Sequence, residues 1–218
     1  MQLSPAQVRV LGSLVEKERA TPDNYPLTMN GLLAACNQTT SRYPVVSLNE
    51  PTVESALMNL RAEGLLRVVH SRSNRADRYR HVLDEALELD EAELAVLGVL
   101  MLRGPQTAAE LRTRTERLHA FGDQDEVERV LDALARRPEP LVARLERAPG
   151  QKEARWAHLL GGEVVDVAPP VGPDTAGRTP RSDRLEALEA QVATVAAEVE
   201  RLRADHDALA SQLRDLLA

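Results

Sequence analysis

Two stretches of this chain end on nearly the same line, Arg78-Tyr79-Arg80-His81-Val82-Leu83 and Arg155-Trp156-Ala157-His158-Leu159-Leu160. Each closes a segment that is predicted as three helices, a strand, a turn and a second strand, over residues 3–83 and 89–160. A repeated unit is considered first, because it decides the architecture before any local prediction does. Three helices followed by a hairpin are typical of the winged helix-turn-helix, so we predict two tandem winged-helix domains in a mainly α protein with small β-hairpins (an α+β fold).

Capping signals place the helices of both copies. In the first copy, Ser4-Pro5 begins the first helix, Thr28 begins the second, and the third starts within residues 49–51. In the second copy, Asp90 and Thr107 begin the first two helices. Ser, Thr and Asp are preferred at this position because their side-chain oxygens accept hydrogen bonds from the free N–H groups of the first turn, and proline is favoured just after it.

The repeat and the composition divide the chain into four parts. We predict domains at 1–84 and 85–160, a Pro/Gly-rich linker at 161–182, and a C-terminal helix at 183–218. Each copy is close to the lower size limit for an independent core, so we expect the two copies to pack on each other. The chain has one cysteine, no basic-then-apolar start and no apolar run long enough to span a membrane, which predicts a cytoplasmic protein.

The C-terminal helix carries an unbroken heptad pattern, which is typical of a coiled coil. Valine at the first apolar position and leucine at the second favour two parallel strands. We therefore predict a homodimer held by a parallel coiled coil, the alternative being a single amphipathic helix that folds back on the body. The residues predicted in the seam are Leu185, Leu188, Val192, Val195, Val199, Leu202, His206, Leu209, Leu213 and Leu216.

A basic cluster stands out in an otherwise acidic chain. The formal net charge is −7, which argues against a general polyanion binder but allows a local basic surface. Arginine is abundant around the first hairpin, and its fork of donors suits phosphate oxygens. The alternative is a solvated hairpin whose arginines pair with the acidic residues of the segment that follows. The residues predicted to contact phosphate are Arg67, Arg72, Arg75, Arg78 and Arg80.

The third helix of the first copy is the expected recognition helix if DNA is the ligand. Its outward residues that could face the groove are Thr52, Ser55, Asn59 and Arg61. The equivalent helix of the second copy begins with several acids, which would repel phosphate, so we expect only the first copy to contact DNA.

The first copy also contains a polar insertion just before its third helix. Its position beside the third helix would allow a contact with DNA. The alternative, a polar loop without a special role, is equally well supported by the spacing. The insertion residues considered as possible contacts are Asn37, Gln38, Thr39 and Arg42.

Catalytic chemistry finds little support in the sequence. The five histidines lack metal-ligand spacing, and there is no phosphate-cradling glycine loop or nucleophile elbow. Cys36 lies on an apolar helix face, where a small buried hydrophobe is the usual role. We expect no catalytic residue, no cofactor and no metal, and hence no enzyme.

Several ordered stretches resemble the YceH-like family, bacterial proteins with two winged-helix domains and no assigned function. The resemblance covers about residues 3–163 and rests on residues 24–28, 35–45, 102–107, 110–112 and 149–153 with Arg155-Trp156. It implies the fold and supplies no activity or site residues. Lysine is usual in the family where this chain has Thr39, and asparagine where it has Ser41. The linker and the coiled coil lie outside the resemblance.

Two functions follow as expectations. The first is a DNA-binding protein, a dimeric transcriptional regulator that contacts double-stranded DNA through the basic wing and third helix of the first domain. The second is an acidic protein-interaction scaffold without direct DNA binding, since paired winged helices also resemble the non-catalytic subunits of chromosome-condensing complexes. In the first case the second domain would act as a dock between protomers or for a protein partner.

Overall fold

The computed structural model describes residues 2–70, 76–147 and 153–162, all of which belong to the compact unit Met1–Asp166. They form a mixed α/β fold with seven α-helices and two small antiparallel sheets among the described residues. The predicted coiled coil, and the linker beyond Gly162, lie outside the described residues.

The first copy follows the predicted order of helices and strands. A short 3-10 helix (Pro22–Asn24) and a two-residue strand, neither of which was predicted, follow its first helix. Its elements are α1 (Pro5–Ala20), β1 (Leu27–Thr28), α2 (Met29–Cys36), α3 (Glu50–Ala62), β2 (Leu66–Val69) and β3 (Arg78–His81).

The second copy repeats the order of three helices and two strands and is preceded by α4 (Leu83–Leu87), which spans the predicted boundary between residues 84 and 85. The sequence prediction missed this short helix. The remaining elements are α5 (Glu91–Arg103), α6 (Ala108–Thr115), α7 (Gln124–Ala135), β4 (Val142–Arg144) and β5 (Trp156–His158).

The predicted N-caps are confirmed by their hydrogen bonds. Ser4 and Asp90 each accept from the backbone N–H three residues on, and the side chains of Gln7 and Glu93 reach back to complete capping boxes. Thr28 caps α2 in the same way, accepting from the N–H of Gly31. These local contacts set where each helix begins, independently of how the copies pack.

The sheets are completed by the segment that precedes the second helix of each copy. In the first copy the strand order is β1-β3-β2, so β3 is central. In the second copy β4 pairs with β5, and Gln106 forms an isolated bridge to Trp156 on the other side of β5. The two copies therefore share their sheet arrangement as well as their order of elements.

The two copies pack on each other through their first helices, α1 and α5. The consecutive residues 7–15 of α1 are all buried, as are residues 94–102 of α5. A helix that is buried all round must be covered on every side. Helix α1 is packed against α2 and α3 of its own copy and against α5 of the other copy. A single cluster of buried side chains runs through both copies.

Two glycines at equivalent positions let these helices approach closely. Gly12 and Gly98 each lie eight residues after the N-cap residue of their helix. A Cβ added at Gly12 would lie 3.0 Å from Met101 Cβ, and one added at Gly98 would lie 2.8 Å from Val15 Cγ1. Val15 and Met101 also occupy equivalent positions in the repeat. The contact of Gly12 with Met101 therefore corresponds to that of Gly98 with Val15, as in the isologous interface of a two-fold dimer.

Substitution of Gly98 by alanine is predicted to destabilise the protein by about 1–2 kcal/mol, because the new methyl group has no room against Val15. Gly31→Ala in α2 is the matched control, since its added Cβ would lie no closer than 3.5 Å to another residue. That variant should be stabilised by up to about 1 kcal/mol through helix propensity. Chemical denaturation of both variants measures the difference, and equal stabilities would contradict the close α1–α5 contact.

The two histidines that occupy the same place in the repeat have different surroundings. His81 is buried, with Nε2 2.8 Å from Glu18 Oε2, while Nδ1 accepts a hydrogen bond from the Leu83 N–H. The ring of His158 has a buried Nδ1 without a hydrogen-bond partner among the described residues. Burial lowers the pKa of His158 from 6.5 to about 4. The His81 ring thus bridges Glu18 and the Leu83 N–H, whereas His158 has no such contact at Nδ1 among the described residues.

His158 should make the folded state sensitive to mild acid. In the unfolded chain this ring takes up a proton below pH 6.5. In the folded chain its pKa is lowered to about 4, so the ring takes up a proton only near pH 4. Stability is therefore fully present above pH 6.5 and falls with pH across that window, by at most about 3 kcal/mol. His158→Gln should flatten the pH dependence of the unfolding free energy, with His119→Gln as the control. An unchanged slope in the His158 variant would contradict this assignment.

Candidate nucleic-acid interface

Three of the predicted phosphate-binding arginines share the outward face of the first sheet. Arg67 lies opposite Arg80 in the β2–β3 pairing, and Arg78 lies between Val69 on one side and Thr28 of β1 on the other. The alternate positions of β3, Tyr79 and His81, pack against or within the core. Because successive side chains of a strand point to opposite faces, the arginines are directed away from the core.

Two of these arginines share one carboxylate. Arg67 Nη2 lies 2.7 Å from Glu85 Oε2, and Arg80 Nη2 lies 2.7 Å from Glu85 Oε1. The pairing of hairpin arginines with the following acidic segment, which was the alternative to anion binding, therefore occurs at Glu85. One negative charge cannot neutralise two guanidinium groups. These partly exposed pairs are weak, and a phosphate could displace them.

Arg78 has no carboxylate partner among the described residues. Its Nη1 donates to the carbonyl of Pro26 at 2.8 Å, which holds the side chain along the edge strand β1. The sheet face thus carries three arginines and one carboxylate, a local excess of positive charge in a chain of net charge −7.

The predicted groove residues of α3 do not behave alike. Thr52 donates its hydroxyl to Asn49 Oδ1 at 2.6 Å, and its backbone N–H donates to the same atom at 3.0 Å. Thr52 is therefore part of the helix cap and is half-buried. Ser55, Asn59 and Arg61 are exposed, so these three remain available to a ligand.

Sequence reasoning expected Glu54 on the exposed face of α3 but missed an apolar residue, Met58, and a second acid, Glu50. Met58 is 62% exposed and is the most exposed large hydrophobic side chain among the described residues. Glu50 and Glu54 are also exposed. Burial, with the charges of Asp77, Glu54 and Glu50, raises the pKa of the Tyr79 phenol. The helical period that directs Val53 and Leu57 inward would have placed Met58 outward, so the signal was present.

Arg42 has to be removed from the possible contact loop, because its side chain is fully buried. Its guanidinium makes a bidentate ion pair with Glu16 of α1, with Nη1 3.0 Å from Oε1 and Nη2 2.6 Å from Oε2. It also donates to the carbonyls of Ala35 and Ser41 and to Gln38 Oε1. Burial favours protonation of Glu16, but the hydrogen bonds and charges of Arg42 and Lys17 outweigh it and lower the pKa of this carboxyl.

The remaining residues of the insertion have mixed roles. Asn37 exchanges two hydrogen bonds of 2.8 Å with the backbone of Leu48, which closes the loop on itself. Gln38 is half-buried and accepts from Arg42, whereas Thr39 is exposed. Of the four predicted contact residues, only Thr39 therefore presents an uncommitted exposed side chain.

The insertion instead bridges the two copies. Tyr43 donates its backbone N–H to the carbonyl of Leu102 at 2.8 Å, and Arg103 Nη2 donates to Ser41 Oγ at 2.6 Å. The ring of Tyr43 also lies beside Gly104, whose φ of 70° ends α5. The two stretches that supply most of the family resemblance, residues 35–45 and 102–107, are thus in direct contact.

Several predicted site residues lie outside the described residues. Arg72 and Arg75, which the sequence predicts to contact phosphate, belong to residues 71–75, and the predicted dimer seam from Leu185 to Leu216 belongs to the C-terminal segment. Their roles stay predictions from the sequence.

The second copy presents a different surface. Asp123 caps α7 by accepting from the Glu126 N–H at 2.7 Å, while Asp125 and Glu128 are exposed. Arg144 of β4 is positioned over the ring of Trp156 at 5.9 Å from its centroid. An acidic α7 opposes binding of phosphate at this copy.

Metal and nucleophile chemistry have no cluster to support them in the part of the chain that the structure describes. No group of three or more His, Cys, Asp or Glu residues there could hold a metal ion. Burial raises the pKa of the Cys36 thiol, which keeps it in the unreactive protonated form. Within the same residues no helix is both long and apolar enough to cross a lipid bilayer.

Comparison with known proteins assigns a family. The profile of the family described as "Protein of unknown function, DUF480" matches residues 3–151. The chain belongs to this family. A UPF0502 protein of Burkholderia ambifaria (strain MC40-6) is 47% identical over 215 residues, which are 97% of this chain and 89% of the relative. A UPF0502 protein of Geobacter sulfurreducens is 50% identical over 198 residues, covering 88% of this chain and 90% of the relative.

The family resemblance seen in the sequence is confirmed, since these relatives form a group of uncharacterised bacterial proteins. Its extent was underestimated. A match over 97% of the chain includes most of residues 161–218, which the motif resemblance had left out. The C-terminal segment is therefore shared with relatives in the DUF480 family.

Removal of the Arg42 guanidinium should destabilise the protein without changing any surface contact. Arg42→Met leaves Glu16 partly buried with only Lys17 as its partner, at 3.5 Å, and should lower the unfolding free energy by about 2–3 kcal/mol. Its stability should also depend less on pH below 4.5, where the native protein loses the contribution of Glu16, whose pKa is lowered by Arg42. Denaturation of Arg42→Met beside the exposed control Thr39→Ala measures both effects. Equal stability of the two variants would contradict the buried ion pair between Arg42 and Glu16.

Proposed function

We propose that both copies are winged-helix domains. In support, three helices precede an antiparallel hairpin in each, as α1-α2-α3-β2-β3 and as α5-α6-α7-β4-β5. In each copy the residues before the second helix also pair with the last strand, through β1 in the first copy and Gln106 in the second. A helix-helix-helix-hairpin unit of this kind is a framework for binding, in which exposed side chains of α3 and of the hairpin meet the ligand.

We further propose that the protein is a non-enzymatic, cytoplasmic DNA-binding protein that acts as a dimeric transcriptional regulator. The observation that carries this proposal is the outward sheet face with Arg67, Arg78 and Arg80 against the single carboxylate of Glu85. Phosphate contacts dominate the affinity of proteins for DNA, and arginine presents paired donors to phosphate oxygens. Arg72 and Arg75, next in the chain, would extend this surface.

The first copy would also supply the groove contacts. Ser55, Asn59 and Arg61 are exposed on α3, and asparagine and arginine side chains match the hydrogen-bonding edges of adenine and guanine. A parallel coiled coil at residues 183–218 would bring two first copies together, so that the dimer contacts two half-sites. The acidic second copy would stay off the DNA and offer a surface to a protein partner.

A protein-interaction scaffold is the second candidate, and specific observations favour it. The exposed face of α3 carries Met58, Glu50 and Glu54, a mixture of apolar and acidic side chains that suits a protein surface better than a phosphate backbone. Asp125 and Glu128 give α7 the same acidic character. In this case Arg67 and Arg80 would serve only their pairing with Glu85, and Arg78 its hydrogen bond to Pro26.

Glu85→Gln separates the two candidates, because it releases Arg67 and Arg80 without removing a donor. Fluorescence anisotropy of labelled random duplex DNA, titrated with the full-length protein at several salt concentrations, should show tighter binding by this variant. The slope of log affinity against log salt should steepen by about 0.9 for each additional phosphate that the released arginines neutralise. Arg80→Gln should weaken binding to every duplex and make the slope shallower by a similar amount.

The control is Glu139→Gln, which changes the net charge equally in an exposed loop of the second copy. It should leave the duplex affinity close to that of the native protein. If Glu85→Gln and Glu139→Gln bind duplex DNA alike, or if neither binds even at low salt, the DNA proposal fails. Recovery of a protein partner that Met58→Ala abolishes would then support the scaffold.

A further inference from the structure

A cleft of about 460 Å³ opens in the first copy where the end of α1, strand β1 and helix α2 meet. Lys17 and Arg78 line it together with the polar side chains of Asn24, Thr28 and Gln38. None of the described residues that line it is acidic. A cleft of this volume is in the range of small-molecule sites, which combine an apolar surface with a few convergent polar groups.

The two cations in the cleft are only partly neutralised. Lys17 Nζ lies 3.5 Å from Glu16 Oε2, but that same oxygen lies 2.6 Å from Arg42 Nη2, so the carboxylate is already engaged by a buried guanidinium. Arg78 uses Nη1 on the Pro26 carbonyl and forms no ion pair with a described residue. Gln38 accepts from Arg42 through Oε1, which leaves its amide N–H groups as donors. The cleft is therefore rich in donors and positive charge.

Gly31 supplies an independent observation. It lies in the first turn of α2 and lines the cleft, with a φ outside the left-handed region. Glycine within a helix is unfavourable relative to alanine. The fold does not require it here, since an added Cβ would meet Thr28 Oγ1 at 3.5 Å and Leu27 at 3.9 Å, both ordinary contacts. At Gly12 and Gly98, by contrast, the facing helix leaves no room. What a side chain at Gly31 would occupy is the cleft.

We propose that this cleft binds a small organic anion, a phosphate monoester or carboxylate with a compact apolar part. Lys17, Arg78 and the Gln38 amide would hold the anionic group by charge-assisted hydrogen bonds. The apolar part would lie against Leu27 and the open backbone at Gly31. The proposal does not depend on DNA binding, although Arg78 also belongs to the outward sheet face that carries Arg67 and Arg80 (the arginine face).

Isothermal titration of the full-length protein with phenyl phosphate tests the proposal. The native protein should show saturable binding, because the probe has both the anion and the apolar ring. Lys17→Gln removes one cation, and Gly31→Leu fills the cleft while keeping every charge. Each should weaken binding by about tenfold or more, which corresponds to the loss of one charge-assisted hydrogen bond or of the space for the ring. Arg112→Gln, an exposed arginine of the second copy, should leave the affinity unchanged.

Thermal melts of the three variants establish that each is folded. Absence of saturable binding at millimolar phenyl phosphate, or equal affinity in the native and Gly31→Leu proteins, would overturn the proposal. A DNA backbone phosphate is the other source of the same chemistry, and duplex anisotropy of the same proteins distinguishes it. If Gly31→Leu loses affinity for duplex DNA while the native protein does not bind phenyl phosphate, the cleft belongs to DNA and the small-anion proposal is wrong. If phenyl phosphate binds as expected and no protein binds duplex DNA, the cleft proposal stands and DNA binding fails.

Discussion

The close approach of α1 and α5 is the constraint on which the rest of the structure depends. Each helix is buried on all sides, and each has a glycine at the point where the other helix's Val15 or Met101 packs. Neither copy could remain as it is without the other, because the separated helices would expose Val15 and Met101 to water. The exchange of equivalent contacts between the copies indicates a repeat that packs on itself as a symmetric dimer does, but within one chain.

The insertion at residues 37–48 makes sense in relation to that interface. Arg42 reaches inward to Glu16 on α1, and Tyr43 and Ser41 reach across to the end of α5. A buried guanidinium is stable only when its donors are satisfied, and here a carboxylate, two carbonyls and an amide oxygen accept from it. The insertion fixes how the two copies meet, and that structural task accounts for polar residues that looked like a ligand-contacting loop.

The sequence was sufficient wherever the deciding interaction is local. Ser4, Thr28 and Asp90 were placed correctly as N-caps because the cap bonds to an N–H three residues away. It was insufficient where the partner is distant along the chain. Arg42 pairs with Glu16, which lies 26 residues earlier, and the spacing of the two residues does not predict the pair. Strand β1 was missed because two residues carry no periodicity, and it exists only through its pairing with β3.

The candidate site shows the same division. Alternation along β3 places Arg78 and Arg80 on one face, but their surroundings depend on Glu85 of α4, a helix that was not predicted. The cleft beside Arg78 could not be predicted from the sequence, since Lys17 of α1 and Arg78 of β3 are distant along the chain and meet only in the folded protein. An acidic chain can nevertheless concentrate its positive charge on one surface. Glu16 is committed to Arg42 inside the fold, so Lys17 adds its charge to that of the arginine face. Arg78 therefore belongs both to the cleft, with Lys17, and to the sheet face, with Arg80, so the two positively charged surfaces adjoin each other.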